Sequence, residues 1–275
     1  MDSRIAGTPA SCSRIRLGCR NKGFVPQLRG LSDCLIHSRR VAIESGIALD
    51  SRRAVWLEAE RALLVADVHL GHLWVERQRG TLLPIVPDDT LTRLSALRAA
   101  YRPERWVFLG DTVHAVARLS VLEEELAGLL QWLNGEPALF VLGNHDVKLP
   151  ELLKTLGYEG VCTRRATLGP HVFVHGDGMP WSAVSEALGD GGRVFYGHEH
   201  PAVVLRDGVA TAARVPGFLV GRDRVVLPAF SRWAAGQVFP SEPFLSPMSS
   251  PVDFDTVVAI VGERLLPVPA RMLRQ

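Results

Sequence analysis

Five short segments of this chain contain histidine, aspartate and asparagine, side chains that bind divalent metal ions. The segments are Asp67-Val-His69, Gly110-Asp111, Gly143-Asn144-His145-Asp146, His175-Gly-Asp177 and Gly197-His198-Glu-His200. Mixed nitrogen and oxygen donors suit manganese, iron, zinc, nickel or cobalt better than a thiolate-loving ion. Two such ions held close together lower the pKa of a bound water and neutralise the charge on phosphoryl oxygens. The segments therefore predict a metal-dependent hydrolase.

Each segment follows an apolar run of strand length, at residues 62–66, 106–109, 139–142, 172–174 and 194–196. Runs of this kind are typical of buried strands. Side chains two residues apart on an extended chain leave on the same side, so Asp67 with His69, and His198 with His200, can converge. Glycines stand beside the candidate ligands, where the backbone must turn sharply or approach an ion closely, at positions 71, 110, 143, 176 and 197.

Two stretches between these runs have helical periodicity, Asp89 to Tyr101 and Leu119 to Leu133. Pro87 and Asp88 supply a turn and a candidate cap for the first helix. The alternation of strands and helices predicts a sheet core with helices packed on its outer faces. A chain of 275 residues with 47% hydrophobic content can bury one large core, so a second catalytic domain is not expected.

The order and spacing of the five segments, DxH, GD, GNHD, a later His before Gly, and GHxH, resemble those of the calcineurin-like metallophosphoesterases. This resemblance spans Ala62 to Pro201. It implies an α/β fold, the αββα sandwich, in which two packed mixed β-sheets are flanked by helices. Three further stretches, Leu64–Gly71, Leu227–Phe230 and Val257–Pro269, are similar to the bacterial DNA-ligase-associated phosphoesterases.

The resemblance implies a role for each residue of the five segments. One metal ion is expected on Asp67, His69 and His200, the other on Asn144, His175 and His198, and Asp111 is expected to bridge them. Family analogy makes manganese the first expectation for both ions. The family pattern leaves His145 out of the metal shell, so we expect it to assist the leaving group while a metal-bound hydroxide attacks phosphorus. Asp146 either orients the His145 ring or stabilises the turn through backbone amides.

The positive charge of the chain is concentrated near its beginning. Residues 1–40 hold eight of the 31 lysines and arginines and two of the 29 acidic residues, which leaves 23 basic and 27 acidic residues in 41–275. The part expected to fold is therefore not basic, although a local positive groove is compatible with this balance. Arg77 and Arg79 are candidates for a phosphate contact. His114 resembles a position that holds histidine in the family's repair nucleases, which implies a contact with substrate or with a water near the metals. Solvated arginines and a structural histidine are the alternatives.

Residues 1–42 lack the periodicity of the rest and contain serine, glycine and arginine with almost no acid. We interpret them as a basic, disordered extension, and residues 43–275 as a single metallophosphoesterase domain. An organellar transit peptide or an upstream start codon would give the same appearance. Cys12, Cys19 and Cys34 match no zinc or redox spacing, and no apolar stretch is long enough to cross a bilayer. These features favour a cytoplasmic protein.

Two further features near the segments have open interpretations. His72 lies three residues after His69 of the first segment, and a structural role is favoured over a functional one. The stretch from Phe239 to Pro251 holds four prolines and is expected to form a long loop, either a rim over the metals or a plain surface connection. Trp233 either stacks on a base or packs under that loop.

The leading hypothesis is a dinuclear phosphoesterase that hydrolyses phosphodiester bonds in nucleic acid. The subfamily resemblance links it to DNA repair and implies a DNA ligase and a helicase as associates. A small-molecule phosphatase or pyrophosphohydrolase, acting on a nucleotide or lipid precursor, is the first alternative, and its sign would be a deep, closed pocket. An inactive scaffold with the same fold is the second. Retention of Asn144, His145 and the paired histidines argues against a scaffold.

Overall fold

The computed structural model describes residues 38–81, 88–206, 212–234, 236–240 and 243–274. Most of the predicted N-terminal extension, with Cys12, Cys19 and Cys34, lies outside the described residues, and so do His37 and Pro87. The first strand begins at Arg40, inside the range 1–42 that the sequence assigns to the extension.

Two mixed β-sheets form the centre of the described structure, as the sequence predicts. The first sheet has seven strands in chain order: β1 (Arg40–Glu44), β2 (Ile47–Asp50), β3 (Ala54–Leu57), β4 (Ala62–Val65), β5 (Arg105–Leu109), β6 (Ala138–Val141) and β7 (Val161–Thr163). Neighbours are antiparallel from β1 to β4 and parallel from β4 to β7.

The second sheet is formed by nine strands among the described residues. They are β8 (Arg165–Leu168), β9 (His171–Val174), β10 (Val194–Tyr196), β11 (Pro201–Arg206), β12 (Ala212–Gly221), β13 (Arg224–Val226), β14 (Gln237–Val238), β15 (Phe254–Val261) and β16 (Arg264–Pro269). Their order is β14-β11-β12-β13-β10-β9-β8, and β15 pairs with β12 and β16. Strands β9, β10 and β13 run parallel.

Five α-helices accompany the sheets in the described ranges: α1 (His72–Gln78), α2 (Thr90–Tyr101), α3 (Leu119–Leu133), α4 (Leu149–Thr155) and α5 (Trp181–Ser185). Helices α2 and α3 confirm the two helices predicted from periodicity. The N-cap residue of α2 is Asp89, whose side chain makes no capping bond, and the carboxylate of the preceding Asp88 instead accepts the Thr90 N–H at 2.9 Å.

Three layers of buried side chains explain why the strands are so apolar. Strand β4 is buried on both faces, because alternate residues point to opposite sides of the sheet. Leu64 joins Phe173 and Phe195 in the core between the two sheets. Leu63 and Val65 face outward, where α2, α3 and α4 cover the first sheet.

The outer face of the second sheet is covered by a short helix and by the proline-rich stretch. Val184 of α5 packs there with Phe239 and Met248. The described residues of 239–250 form neither helix nor strand, which confirms the predicted loop. No helix in the described residues is long and apolar enough to span a membrane.

Candidate metal centre

The parallel strands bring the five segments to one end of the sandwich. Strands β4, β5 and β6 run parallel in the first sheet, as do β9 and β10 in the second. The carboxyl ends of parallel strands meet at the same edge of a sheet, which is where ligands bind in open α/β sheets. Each candidate ligand lies within four residues of its strand's end, as seen for Asp67 after β4 and Asp111 after β5.

Asp67, His69 and His200 form the first group of potential ligands. One ligand atom from each lies within 4.8 Å of the others. Nε2 of His200 is 3.2 Å from Oδ1 of Asp67. The geometry of that contact is not that of a hydrogen bond, and this buried nitrogen has no other partner in the described residues. Burial lowers the pKa of His200, but the negative charge of Asp67 outweighs it and raises that pKa, so a metal ion would displace a proton from this nitrogen on binding.

Asp111, His175 and His198 form the second group, again with ligand atoms within 4.8 Å of one another. Nε2 of His175 lies 3.3 Å from Oδ2 of Asp111 and 3.1 Å from both Nδ1 of His198 and Oδ1 of Asn144. Oδ2 of Asp111 is also 3.9 Å from Nε2 of His69. Asp111 thus lies between the two groups, where the bridge is predicted.

The protonation states of this cluster suit a cation. Burial lowers the pKa of His69 to about 3, so its imidazole is neutral and offers a lone pair. Burial raises the pKa of Asp111, but hydrogen bonding and charge from His175 outweigh it and hold that pKa below its usual range. Burial lowers the pKa of His175, yet its bond to Asp111 and the charge of Asp67 raise it to about 9. A metal ion would displace that proton.

Five of the candidate ligands have a left-handed backbone, which is rare outside glycine. Their φ angles are 54° for Asp67, 52° for His69, 46° for Asp111, 64° for His198 and 45° for His200. This conformation costs about 1–2 kcal/mol per residue in an L-amino acid. Strained residues of this kind cluster at functional sites, where the surrounding structure holds them.

Three glycines allow the ligand loops to approach one another. A Cβ at Gly143 would lie 2.3 Å from Oδ1 of Asp111, and one at Gly197 would lie 2.2 Å from Oδ2 of Asp67. A Cβ at Gly110 would lie 2.2 Å from Nδ1 of His175. A side chain at any of these positions would displace a candidate ligand.

His145 is half-buried beside the first group, with its ring 5.0 Å from that of His69. Nδ1 of His145 accepts the Ala115 N–H at 3.3 Å, which places the proton of the neutral ring on Nε2. In the described residues Asp146 makes no hydrogen bond to this ring; its carboxylate accepts the N–H groups of Val113 and Gly143, each at 3.0 Å. Burial raises the pKa of Asp146 to about 7. Asp146 therefore stabilises the turn, the second of the two readings.

Three imidazole rings form a stack along the cleft wall. The rings of His72 and His114 are 4.2 Å apart and nearly parallel at 13°, and those of His114 and His145 are 4.9 Å apart at 24°. His69 stands edge-on to the stack. His69, His114 and His145 also form a third group with ligand atoms within 4.8 Å. His72, disfavoured as functional in the sequence, thus belongs to the site; its only sequence signal was adjacency to the first segment.

The metal groups face a cleft of about 570 Å³ that opens to solvent. Leu245 lines it, so the proline-rich loop contributes to the rim. Arg77 is exposed in the last turn of α1 and does not line the cleft. Arg79 pairs with Glu76 at 3.0 Å. Trp233 does not line the cleft either.

Comparison with known proteins agrees with the family resemblance of the five segments. The family model for calcineurin-like phosphoesterases matches residues 60–201. None of the curated proteins compared with the chain matches it. Among solved structures, the nuclease MPE of Pseudomonas putida is similar, at 25% sequence identity and a TM-score of 0.57 over 83% of this chain and 98% of that one. Yfce, a phosphoesterase from E. coli, matches at 15% identity and a TM-score of 0.37, over 76% of this chain and 98% of that one, which is too distant to carry an argument.

Proposed function

The chain belongs to the calcineurin-like phosphoesterase family, and on that premise we propose that it is a dinuclear metal-dependent phosphodiesterase that cleaves nucleic acid. The observation that carries the proposal is that Asp111 belongs to one group of nitrogen and oxygen donors and also lies 3.9 Å from Nε2 of His69 in the other. A single carboxylate shared by two such groups is the arrangement that two neighbouring divalent ions require.

The proposed ligands of one ion are Asp67, His69 and His200, and those of the other are Asn144, His175 and His198, with Asp111 common to both. Manganese is the proposed metal, by family resemblance, although the donor set also suits iron, zinc, nickel or cobalt. When bound, the ions supply a water of lowered pKa and neutralise the charge on phosphoryl oxygens.

His145 is the proposed proton donor to the leaving oxygen. Its Nδ1 is occupied by the Ala115 N–H, so the ring presents a protonated Nε2. The cleft is lined by His145 together with His72 and His114. Packing within the imidazole stack restricts the ring orientation, which fixes the direction of the proton that His145 offers. His114 is the proposed substrate contact beside it; Arg77, exposed on α1, is a second and more distant one.

A nucleic-acid substrate is preferred over a small phosphate ester for two reasons. The cleft is open, whereas a small-molecule phosphatase or pyrophosphohydrolase is expected to enclose its substrate. The solved structure with a TM-score of 0.57 is described as a nuclease. We further propose the DNA-ligase-associated subfamily, with a role in DNA repair, a cytoplasmic location, and a DNA ligase and a helicase as associates. These proposals rest on sequence resemblance alone.

Replacement of Asp111 tests the proposed function. Asp111→Ala is expected to abolish hydrolysis and to reduce the metal content, because one carboxylate serves both ions. Asp255→Ala, at an exposed position of β15, is the matched control and should behave like the wild type. Metal content is measured by elemental analysis after reconstitution with manganese. Retained turnover with full metal content in Asp111→Ala would contradict the assigned bridge.

A substrate panel then separates the alternatives. Single-stranded DNA, duplex DNA, nucleoside monophosphates and a chromogenic diester are compared with added manganese. Cleavage of DNA supports the proposal, whereas exclusive hydrolysis of monophosphates would favour the small-molecule phosphatase. A protein that holds two ions and hydrolyses none of these substrates would be a scaffold.

A further inference from the structure

A second cleft, of about 230 Å³, continues from the metal centre. The two clefts share three lining residues: His200, Ala234 and Gly236. The far wall of the second cleft contains three arginines, Arg53, Arg214 and Arg232. No sequence motif marks these arginines, and none of them belongs to the metal groups.

Arg53 is held in place by the backbone around it. It occupies the turn between β2 and β3 with a φ of 68°, and its Nη1 donates to the carbonyl oxygens of Ala229 and Ser231, both at 2.7 Å. Its Nε and Nη2 have no hydrogen-bond partner among the described residues, and neither is sealed from solvent. The two bonds of Nη1 therefore fix the position of the guanidinium, and Nε and Nη2 can donate to a ligand.

The positive charge of this cleft is not balanced by nearby acid. In the described part of the chain, no carboxylate forms an ion pair with Arg53 or Arg214. Arg232 pairs with Asp89 at 2.6 Å, but the same carboxylate also pairs with Arg93 at 2.9 Å. Arg93 and Arg232 thus share one carboxylate, and in the described residues Arg53 and Arg214 pair with none.

Arg53 remains charged in spite of these neighbours. Burial, and then the like charges of Arg93 and Arg232, lower its pKa to about 10, which is still well above neutral pH. A cation that is destabilised by burial and by like charges is strongly stabilised when an anion binds beside it. Residues 41–275 carry 23 basic and 27 acidic residues, so the excess of positive charge at this cleft is local.

We propose that the cleft formed by Arg53, Arg214 and Arg232 binds a backbone phosphate of a nucleic-acid strand whose neighbouring phosphodiester lies at the metal centre. Planar guanidinium groups match the oxygens of a phosphate. A phosphate monoester would leave this cleft empty once its one phosphate reached the metals, whereas a strand fills both. The inference rests on the proposed function, because it names the part of a polymeric substrate that lies beyond the cleaved bond.

The test uses two variants in the cleft and one outside it. Arg214→Gln and Arg232→Gln remove charge from exposed side chains, so the fold should tolerate both. Arg264→Gln is the matched control, because Arg264 is an exposed arginine on a strand, β16, and lines neither cleft. Circular dichroism and thermal unfolding verify that each variant is folded.

Binding of a labelled, non-hydrolysable single-stranded oligonucleotide to the manganese-loaded protein is measured by fluorescence anisotropy, over a range of salt concentrations. This readout does not depend on hydrolysis. Each cleft variant should weaken binding several-fold, and the slope of log K against log salt should fall by about 0.7 per lost phosphate contact. Arg264→Gln should bind like the wild type. Wild-type binding that is absent, or that is unchanged in both cleft variants, would overturn the proposal.

Kinetics with manganese separate this inference from the proposed function. Arg214→Gln should raise KM for the oligonucleotide several-fold and leave kcat/KM for a small chromogenic diester unchanged. Equal effects on both substrates would overturn the separate phosphate site. Arginine-dependent binding without hydrolysis of any phosphodiester would support the cleft and refute the proposed function. Hydrolysis of the strand with wild-type kinetics in both variants would support the proposed function and refute the phosphate-binding cleft.

Discussion

Individual residues of the metal centre are held in costly conformations by hydrogen bonds between loops. The Asp67 N–H donates to the Gly110 carbonyl at 3.1 Å, and the His69 N–H donates to the Asp111 carbonyl at 2.8 Å. The loops after β4 and β5 are therefore bonded to each other at the residues whose φ is positive. Each strained residue costs on the order of 1–3 kcal/mol. The bonded pair of loops offsets part of this cost and fixes the carboxylates relative to each other.

Replacement of His145 should separate proton transfer from metal binding. His145→Asn is expected to lower kcat for a phosphodiester by roughly 10²–10⁴, the usual effect of losing a general acid. Its metal content should equal that of the wild type, because His145 is not in either proposed ligand set. Steady-state kinetics and elemental analysis of the same sample measure both.

His171→Asn is the matched control for this variant. His171 is buried on β9 with Nδ1 accepting the Arg193 N–H at 3.1 Å, and it does not line the cleft. Its replacement should leave kcat near the wild-type value. If His145→Asn instead loses metal, His145 is a ligand, and the group that it forms with His69 and His114 holds an ion.

A methyl group at Gly143 should disturb the bridging carboxylate. In Gly143→Ala the new Cβ would lie 2.3 Å from Oδ1 of Asp111 and 2.6 Å from its backbone nitrogen, so Asp111 must move. We expect metal affinity to fall by about 10–100-fold, as for other residues that support ligands. Isothermal titration calorimetry with manganese measures the affinity. An unchanged dissociation constant would show that Asp111 does not depend on this close approach.

The metal ligands could be predicted from the sequence because each lies in a short motif directly after a strand. Spacing within a motif fixes which side chains share a direction, and parallel strands bring the motifs together. The cleft arginines carry no such signal. Arg53 lies in a turn of the first sheet, Arg214 on β12 of the second and Arg232 in the loop after β13, so the three meet only in the folded chain. The place of His72 in the cleft wall could not be predicted for a related reason, since a lone histidine has no spacing to interpret.

At the scale of elements, the periodic helices and the apolar strands that precede the motifs were predictable, whereas β1 and β7 were not. Helix α3 has the predicted bounds, and its buried residues Leu122, Leu126 and Leu129 follow the helical repeat. Strands β1 and β7 contain only five and three residues and are partly exposed. Such strands are stabilised by their neighbours in the sheet rather than by local preference. Their existence therefore depends on tertiary contacts that the sequence does not display.

Helix α3 contains a glycine whose replacement by alanine should stabilise the fold. Gly128 lies inside the helix, and a Cβ there would meet no atom within 4 Å. Gly128→Ala should raise the free energy of unfolding by about 0.5–1 kcal/mol, because alanine loses less backbone entropy than glycine on folding. Chemical denaturation measures the change. The same substitution leaves the metal centre untouched, so activity should equal that of the wild type. A destabilised Gly128→Ala would mean that α3 needs a flexible backbone at this point.

At the scale of the whole molecule, the two sheets are joined along one edge as well as face to face. The Leu265 N–H of β16 donates to the Ser38 carbonyl at 3.1 Å, and the Ser51 N–H donates to the Arg39 carbonyl at 2.8 Å. Val41 and Ile43 of β1 pack against the core between the sheets. Residues 38–44 thus connect the first strand of one sheet to the last strand of the other. The sandwich that supports the metal centre depends on this edge.

Two truncations test where the folded unit begins. Removal of residues 1–37 should leave the thermal unfolding midpoint and the activity unchanged, because this segment lacks the hydrophobic periodicity of the rest of the sequence. Removal of residues 1–44 deletes β1 and uncovers the core beneath Val41 and Ile43. Two half-buried apolar side chains contribute roughly 2 kcal/mol together, and the lost β1–β2 pairing adds to this. The second truncation should therefore unfold at a lower temperature and denaturant concentration. Equal stability of the two truncated proteins would show that β1 is dispensable, and a strongly destabilised first truncation would place part of the folded domain before residue 38.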